Sequence, residues 1–191
     1  MSFAGGTRNA AIAAMKRAGL VATVLIASTQ LAGAGGYVGL GIGTAPAMHD
    51  DGDLGLSADG RSGRLILGSR WGQISLEGAL GKYDVLAPGR QPYELYQGSV
   101  AGKASFPLGN GFEAFGRLGL QRTWLVNPIG TFDKEGNGFL LGGGFEYAFD
   151  VAPTRLSIFI DYQYNAAKLD GDRGPAEVSS RMWTLGVTLG F

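Results

Sequence analysis

From Gly36 to Phe191, apolar and polar residues alternate with a period of two. Such alternation is typical of β-strands that bury one face. It predicts eight strands, at about residues 37–44, 62–71, 74–83, 94–106, 112–124, 139–149, 155–164 and 181–191. The connections alternate between long ones (45–61, 84–93, 125–138 and 165–180) and short ones (72–73, 107–111 and 150–154). This cadence predicts an all-β, eight-stranded antiparallel up-and-down barrel whose two rims differ.

The amino-acid composition argues against several classes of function. Glycine makes up 34 of the 191 residues, cysteine is absent, and 16 basic residues balance 16 acidic ones. The lack of cysteine excludes a disulfide scaffold and a cysteine-bound metal centre. The balanced charge argues against a nucleic-acid partner. No cofactor is expected, because glycine strings such as 39–43 lack the strand-then-helix context of a dinucleotide site.

The first 34 residues have the features of a secretory signal peptide. They contain three basic residues (Arg8, Lys16 and Arg17), no acidic ones, and an apolar run at 18–27. That run is too short to span a bilayer as a helix. We therefore predict a signal peptide at 1–34, cleaved near Ala34, and a barrel domain at 35–191. Met15 is an alternative start, and a buried N-terminal helix is the alternative interpretation of this segment.

Alternation alone does not show whether the apolar face points outward, because a soluble barrel with an apolar interior would also alternate. The positions of the aromatic residues distinguish the two cases. In four strands, two aromatic residues are separated by an even number of positions, so both face the same side. Ten tilted strand residues cover about 23 Å, close to the roughly 25 Å apolar band of a transmembrane barrel. The sequence therefore predicts a transmembrane barrel with two lipid-facing aromatic girdles, formed by Trp71, Tyr96, Phe106, Phe112, Trp124, Phe139, Phe149, Tyr164, Trp183 and Phe191.

The opposite face is predicted to be small, polar and charged. An eight-stranded barrel has an interior just wide enough for side chains, so charges there must pair. The turn at 72–73 places Arg70 diagonal to Glu77, and Gly68 opposite Glu77 leaves room for that pair. The predicted lumenal charge network comprises Arg64, Arg70, Glu77, Lys103, Glu113, Arg117, Glu146, Arg155 and Asp161. We expect it to plug the barrel; the alternative is a narrow ion or small-solute channel.

Over residues 36–191 the chain resembles the OmpA-like and opacity-protein-like family of eight-stranded outer-membrane barrels. Six motifs carry the resemblance, at residues 64–68, 76–78, 106–112, 142–147, 161–163 and 183–191. The resemblance implies a bacterial outer-membrane location. It also implies that the segment ending at Phe191 is read by the barrel-assembly machinery.

The resemblance further implies a central acid–base cluster inside the barrel. Glu77, Lys103 and Glu146 match its positions by motif and by strand face. The family's partner arginine is replaced here by Phe159. Arg155 or Arg117 is the candidate substitute.

Enzymatic activity is the competing function class, because some small outer-membrane barrels modify lipid A. The only histidine, His49, lies beside Asp50 and near Ser57 in a predicted long loop. We expect a solvated loop and no catalytic or metal site, since the acidic loop clusters lack calcium-loop spacing. The sequence thus predicts a non-enzymatic barrel with a structural or surface-interaction role. Its expected partners are outer-membrane lipid and lipopolysaccharide, and the sequence does not identify a loop ligand.

Overall fold

The computed structural model describes residues 35–44, 46–50, 57–87, 91–126, 134–151, 153–170 and 176–191. The predicted signal peptide at 1–34 lies outside the described residues. The strands are β1 (Gly35–Thr44), β2 (Ala47–Asp50), β3 (Ser57–Trp71), β4 (Ile74–Ala87), β5 (Gln91–Gly109), β6 (Phe112–Val126), β7 (Lys134–Val151), β8 (Thr154–Asp170) and β9 (Ala176–Gly190). Within these ranges there is no helix long and apolar enough to cross a membrane.

The nine strand segments close into an antiparallel barrel of eight strand positions, because β1 and β2 occupy the same position. β3 to β9 pair in chain order, and β1 pairs with both β3 and β9. β2 continues the pairing of β1 along β9, so the two segments act as one strand of the barrel. This strand is interrupted around Pro46, which has no backbone N–H to donate. Near the last residue, Gly36 and Phe191 exchange backbone hydrogen bonds of 3.0 and 2.8 Å. The predicted eight-stranded antiparallel barrel is confirmed.

The short connections contain tight turns at the predicted places. Gly72 has a φ of +62°, and Gly109, Asn110 and Gly111 have φ values of +96°, +52° and +82°. This left-handed region favours glycine and tolerates asparagine, which explains why these residue types are found in the turns. At the opposite end most strands extend beyond the predicted ranges, by up to six residues in β8, which ends at Asp170. In these extensions the residues no longer alternate between apolar and polar, although the backbone pairing continues. The sequence pattern therefore predicted strands that were too short.

Alternate side chains face opposite environments, and the outer face is apolar. Leu120 is 73% exposed, whereas the adjacent Gln121 is 6% exposed. The outward aliphatic side chains of the described strands include Leu40, Ile42, Val100, Leu118, Leu141, Leu185, Val187 and Leu189. A continuous apolar belt of this extent is unfavourable in water. The belt therefore indicates that hydrocarbon surrounds the barrel.

The interior differs from the prediction of a small, polar face, because it also contains aromatic residues. Ile66, Phe115 and Phe159 form a buried hydrophobic cluster, against which Tyr37 packs. A Cβ atom at Gly186 would overlap the Phe159 ring, so the glycine provides the space that this ring occupies. The lumen thus combines ionic and aromatic packing.

Candidate functional site: the lumenal charge network

Six charged side chains meet at the middle of the lumen, and we call them the central cluster. Three cations face three anions there: Arg64, Lys103 and Arg117 with Glu77, Glu146 and Asp161. All six side chains are at most 7% exposed. Charges this deeply buried are tolerated only when they are paired and hydrogen-bonded. The cluster satisfies this requirement by balancing its formal charge.

Asp161 joins two arginines from different sides of the barrel. Its Oδ2 atom accepts from Arg64 Nη2 at 2.6 Å and from Arg117 Nη1 at 2.5 Å. Arg117 also donates through Nε to Glu77, and Arg64 donates to the amide oxygen of Gln163. One carboxylate therefore connects β3, β6 and β8, and Arg117 extends the connection to β4.

Lys103 occupies the other half of the central cluster. Its Nζ atom lies 2.6 Å from Glu146 Oε2 and 3.7 Å from Glu77 Oε1. The ammonium also lies 4.4 Å from the centre of the Phe115 ring, a cation–π contact. Tyr37 donates its hydroxyl to Glu77 Oε1 at 2.7 Å. Glu77 thus receives hydrogen bonds or ion pairs from three side chains.

A second group of charges, which we call the turn-end cluster, lies nearer the short turns. It consists of Arg70, Glu113 and Arg155. Glu113 Oε1 accepts from Arg155 at 2.7 Å, and Glu113 Oε2 lies 3.0 Å from Arg70 Nη1. Arg70 is also held by its Nε atom, which donates to the Gly72 carbonyl at 2.7 Å. Two guanidinium groups therefore share one carboxylate.

The predicted Arg70–Glu77 pair is wrong. Gly68 does lie opposite Glu77, but the space beside it is filled by the Tyr37 ring, which a Cβ atom at Gly68 would meet at 2.6 Å or less. Arg70 reaches Glu113 instead, across the lumen. Of the two candidate substitutes for the missing family arginine, Arg117 lies in the central cluster, together with Arg64, and Arg155 lies in the turn-end cluster.

Toward the long-loop end, the lumen is closed by buried amides. Tyr83 donates to Gln97 Oε1 at 2.6 Å, and Gln97 donates to Gln121 and to Asn165. Gln163 donates to Asn165 Oδ1 at 2.6 Å, which links this layer to the central cluster through Arg64. A pocket of about 20 Å³ lies among these side chains. Tyr83 and Asn165 lie in this inward layer although the sequence analysis did not single them out.

The predicted girdle residues lie on the outer face of the described strands. Eight of the ten are exposed, and Trp124 and Tyr164 are half-buried. Several contact other aromatic rings. The ring centres of Phe112 and Tyr147 are 4.5 Å apart, and those of Trp183 and Tyr162 are 5.0 Å apart. Trp183 differs from the prediction because β9 begins at Ala176, which places it at the middle of the strand rather than at an end.

Outward-facing charges near the long-loop end are paired. Lys82 lies 2.6 Å from Glu94 and Arg122 lies 2.8 Å from Glu135, all four side chains being about half exposed. Each cation also lies over a girdle ring. Lys82 Nζ is 5.8 Å from the centre of the Tyr96 ring, and Arg122 Cζ is 6.0 Å from the centre of the Trp124 ring. These contacts place both cations at the level of an aromatic girdle.

The enzymatic alternative depends on His49 and Ser57, which lie in different strands. His49 belongs to β2 and is paired in register with Ser179 of β9. Ser57 begins β3 and is paired with Leu86 of β4. The side chains of both lie outside the described part of the structure. Within the described part, no group of three His, Asp or Glu side chains could hold a metal ion.

A closed antiparallel barrel with an apolar outer belt and charges inside is an integral membrane β-barrel. Residues 18–191 match the family model described as "Outer membrane protein beta-barrel domain". The chain belongs to this family, and its location is the bacterial outer membrane. In such barrels the short turns face the periplasm and the long loops face outward.

Solved structures share the fold. Neisserial surface protein A is 20% identical, with a TM-score of 0.62 over 83% of this chain and 99% of that one. OprG from Pseudomonas aeruginosa is 14% identical, with a TM-score of 0.52 over 84% and 96%. Ail of Yersinia pestis, solved in complex with the heparin analogue sucrose octasulfate, is 15% identical, with a TM-score of 0.51 over 83% and 99%. No curated protein matches in sequence. The predicted resemblance to eight-stranded outer-membrane barrels is confirmed.

Proposed function

We propose that this protein is a non-conducting, non-enzymatic membrane anchor that presents its long connections at the cell surface. The observation that supports it is the occupied lumen. The central cluster connects β3, β4, β5, β6, β7 and β8, and the amide layer fills the space next to it. A permeating ion would have to displace buried ion pairs, whose disruption is strongly unfavourable. The barrel therefore acts as a support and the external connections carry the interaction.

A conductance measurement tests this function. The folded barrel is inserted into planar bilayers, with a general porin as the positive control for insertion and detection. We expect no reproducible unitary current from the barrel under conditions in which the porin conducts. A reproducible unitary current would overturn the anchor function and favour the alternative of a narrow channel. The residues that would line that channel are Arg64, Arg70, Glu77, Arg117 and Glu146.

We also propose that lipopolysaccharide contacts the girdle near Lys82 and Arg122, and that assembly machinery recognises the segment ending at Phe191. Both cations are exposed at girdle level, where lipid phosphates lie. In liposomes containing lipopolysaccharide, Arg122→Gln should lower the thermal stability of the barrel more than it does in phosphatidylcholine alone. Equal effects in both lipids would remove the lipopolysaccharide contact. N-terminal sequencing of the membrane-inserted protein tests the proposed cleavage near Ala34.

A further inference from the structure

A cavity of about 530 Å³ opens at the short-turn end of the barrel. Three cations line it, Arg70, Lys103 and Arg155, together with one carboxylate, Glu146. Lys103 is paired with Glu146 and Glu77 in the central cluster, so its charge is compensated. The two arginines belong to the turn-end cluster, where they share Glu113. The cavity therefore lies directly against the one described part of the lumen in which cations outnumber anions.

Among the described side chains, which do not include that of Asp150, cations outnumber anions at this one place. The central cluster has three cations and three anions, whereas the described side chains of the turn-end cluster have two cations and one anion. The Glu113 side chain is 9% exposed, so water screens this group only partly. A partly buried excess charge is stabilised by a counter-charge from solution.

Arg155 is the side chain best able to bind such a counter-charge. Its side chain is 40% exposed, compared with 23% for Arg70, which is additionally held by the Gly72 carbonyl. Its Nε atom is buried and has no hydrogen-bond partner. An anion in the cavity would meet the exposed part of this side chain, and a guanidinium is suited to planar carboxylate or phosphate groups, which can accept two parallel hydrogen bonds.

We propose that this cavity is an anion site at the periplasmic mouth, where Arg155, supported by Arg70, binds a carboxylate or phosphate group. Glu113 holds the two arginines together and partly neutralises them, so it competes with the bound anion. The site is on the opposite side of the membrane from the external connections. It therefore does not depend on the proposed anchor function, and equilibrium binding can be measured whether or not the barrel conducts.

The test is a titration of the purified barrel in maltoside micelles, which carry no charge, with inorganic phosphate and with glutarate. Binding is followed by calorimetry and by the NMR signals of the arginine Nε–H groups. We expect saturable binding that shifts the Arg155 signal. Arg155→Gln should weaken it by about tenfold or more, as expected for the loss of a hydrogen bond to a charged group. Glu113→Gln should strengthen it, because the competing carboxylate is removed.

Arg181→Gln is the matched control, because Arg181 is an exposed arginine beside the outward Tyr164 ring and far from the cavity. It should leave binding unchanged. Folding of every variant is checked by its migration in gels with and without boiling. If Glu113→Gln does not fold, the comparison of Arg155→Gln with Arg181→Gln still shows whether Arg155 binds the anion. Absence of saturable binding, or equal binding by Arg155→Gln and the unsubstituted barrel, would overturn the site.

A second arm distinguishes a free anion from a lipid headgroup. Phosphate is titrated into the barrel in phosphatidylcholine nanodiscs with and without phosphatidylglycerol. If the headgroup of an anionic lipid occupies the site, phosphatidylglycerol will compete with phosphate and weaken its apparent binding. If the site takes free anions, the two titrations will agree. Both results support an anion site, and they differ only in the source of the anion.

Discussion

Arg117 and Asp161 form an ion pair of 2.5 Å across the lumen, although their strands, β6 and β8, are not neighbours in the sheet. Their side chains are 5% and 0% exposed. Among the described residues, seven ion pairs lie in the lumen, and all but Lys103–Glu77 join strands that are not adjacent. The charges therefore connect separate parts of the barrel wall.

Asp161→Asn should strongly destabilise the barrel. The substitution leaves Arg64 and Arg117 without the carboxylate that both contact. Breaking a buried pair in this way typically costs about 3–5 kcal/mol in the free energy of unfolding. Urea unfolding in liposomes, followed by tryptophan fluorescence, measures the change.

Glu177→Gln is the control for this prediction. Glu177 lies 2.8 Å from Lys168, but both side chains are more than half exposed. Exposed pairs contribute about 0–1 kcal/mol, so this substitution should have little effect. Similar losses for the two variants would show that the central cluster contributes no more than a surface pair.

Two glycines of β6 should respond differently to alanine. A Cβ atom at Gly119 would lie 2.6 Å from the Ala101 Cβ and would also meet the Val100 carbonyl oxygen. At Gly116 it would meet nothing within 4 Å. Gly119→Ala should therefore cost about 1–3 kcal/mol of unfolding free energy, as overpacking does, whereas Gly116→Ala should be neutral or slightly stabilising. The same urea titration measures both, and the reverse order would mean that the β5–β6 contact is wrong.

A charge on the outer face should be costly in proportion to its depth. Leu118 is equidistant in sequence from the girdle residues Phe112 and Trp124 and is 64% exposed. Leu118→Arg should cost about 2–4 kcal/mol, the usual penalty at the bilayer midplane. Asn137→Arg, beside Arg122 in register and also outward, should cost about 1 kcal/mol or less. Folding yield into liposomes and urea stability report the difference; equal penalties would argue against a lipid-facing β6.

Tyr37→Phe tests an interior contact that the sequence did not reveal. The substitution keeps the ring beside Gly68 but removes the hydroxyl that donates to Glu77. Because Arg117 and Lys103 still contact Glu77, we expect a loss of about 1 kcal/mol in unfolding free energy. Tyr164→Phe, a half-buried residue of the outer face, is the control. A larger effect at Tyr164 than at Tyr37 would contradict the assigned interior role.

The face of each strand could be predicted because even spacing is a local property of a β-strand. Phe112 and Trp124 share a face whatever the rest of the chain does, and Gln121 must then point inward. The interior aromatics were less accessible to this reasoning. Phe159 was placed inside only because it replaces the arginine of the resembling family. Phe115 looks like a lipid-facing residue by type, and only its odd-numbered position between outward neighbours could have revealed it.

The partners of the lumenal charges could not be predicted from strand register. Adjacent-strand geometry favoured Arg70 with Glu77, but in a narrow closed barrel a long side chain reaches strands that are far away along the sheet. Arg70 contacts Glu113 of β6, and Tyr37 takes the space beside Glu77. Such contacts depend on the closure of the whole barrel, which is not encoded in any pair of neighbouring strands.

If the apolar face of the strands contacts lipid while the charged face is enclosed, spin labels on the two faces will differ in their access to oxygen and to water-soluble reagents. The chain has no cysteine, so a single nitroxide can be placed at Leu118→Cys or at the buried, inward Ala101→Cys. In liposomes, the label at 118 should collide frequently with oxygen and rarely with a water-soluble nickel chelate, and the label at 101 should collide rarely with both. A label at 118 that is shielded from oxygen, or that the nickel chelate reaches freely, would show that the outer face of β6 does not contact lipid.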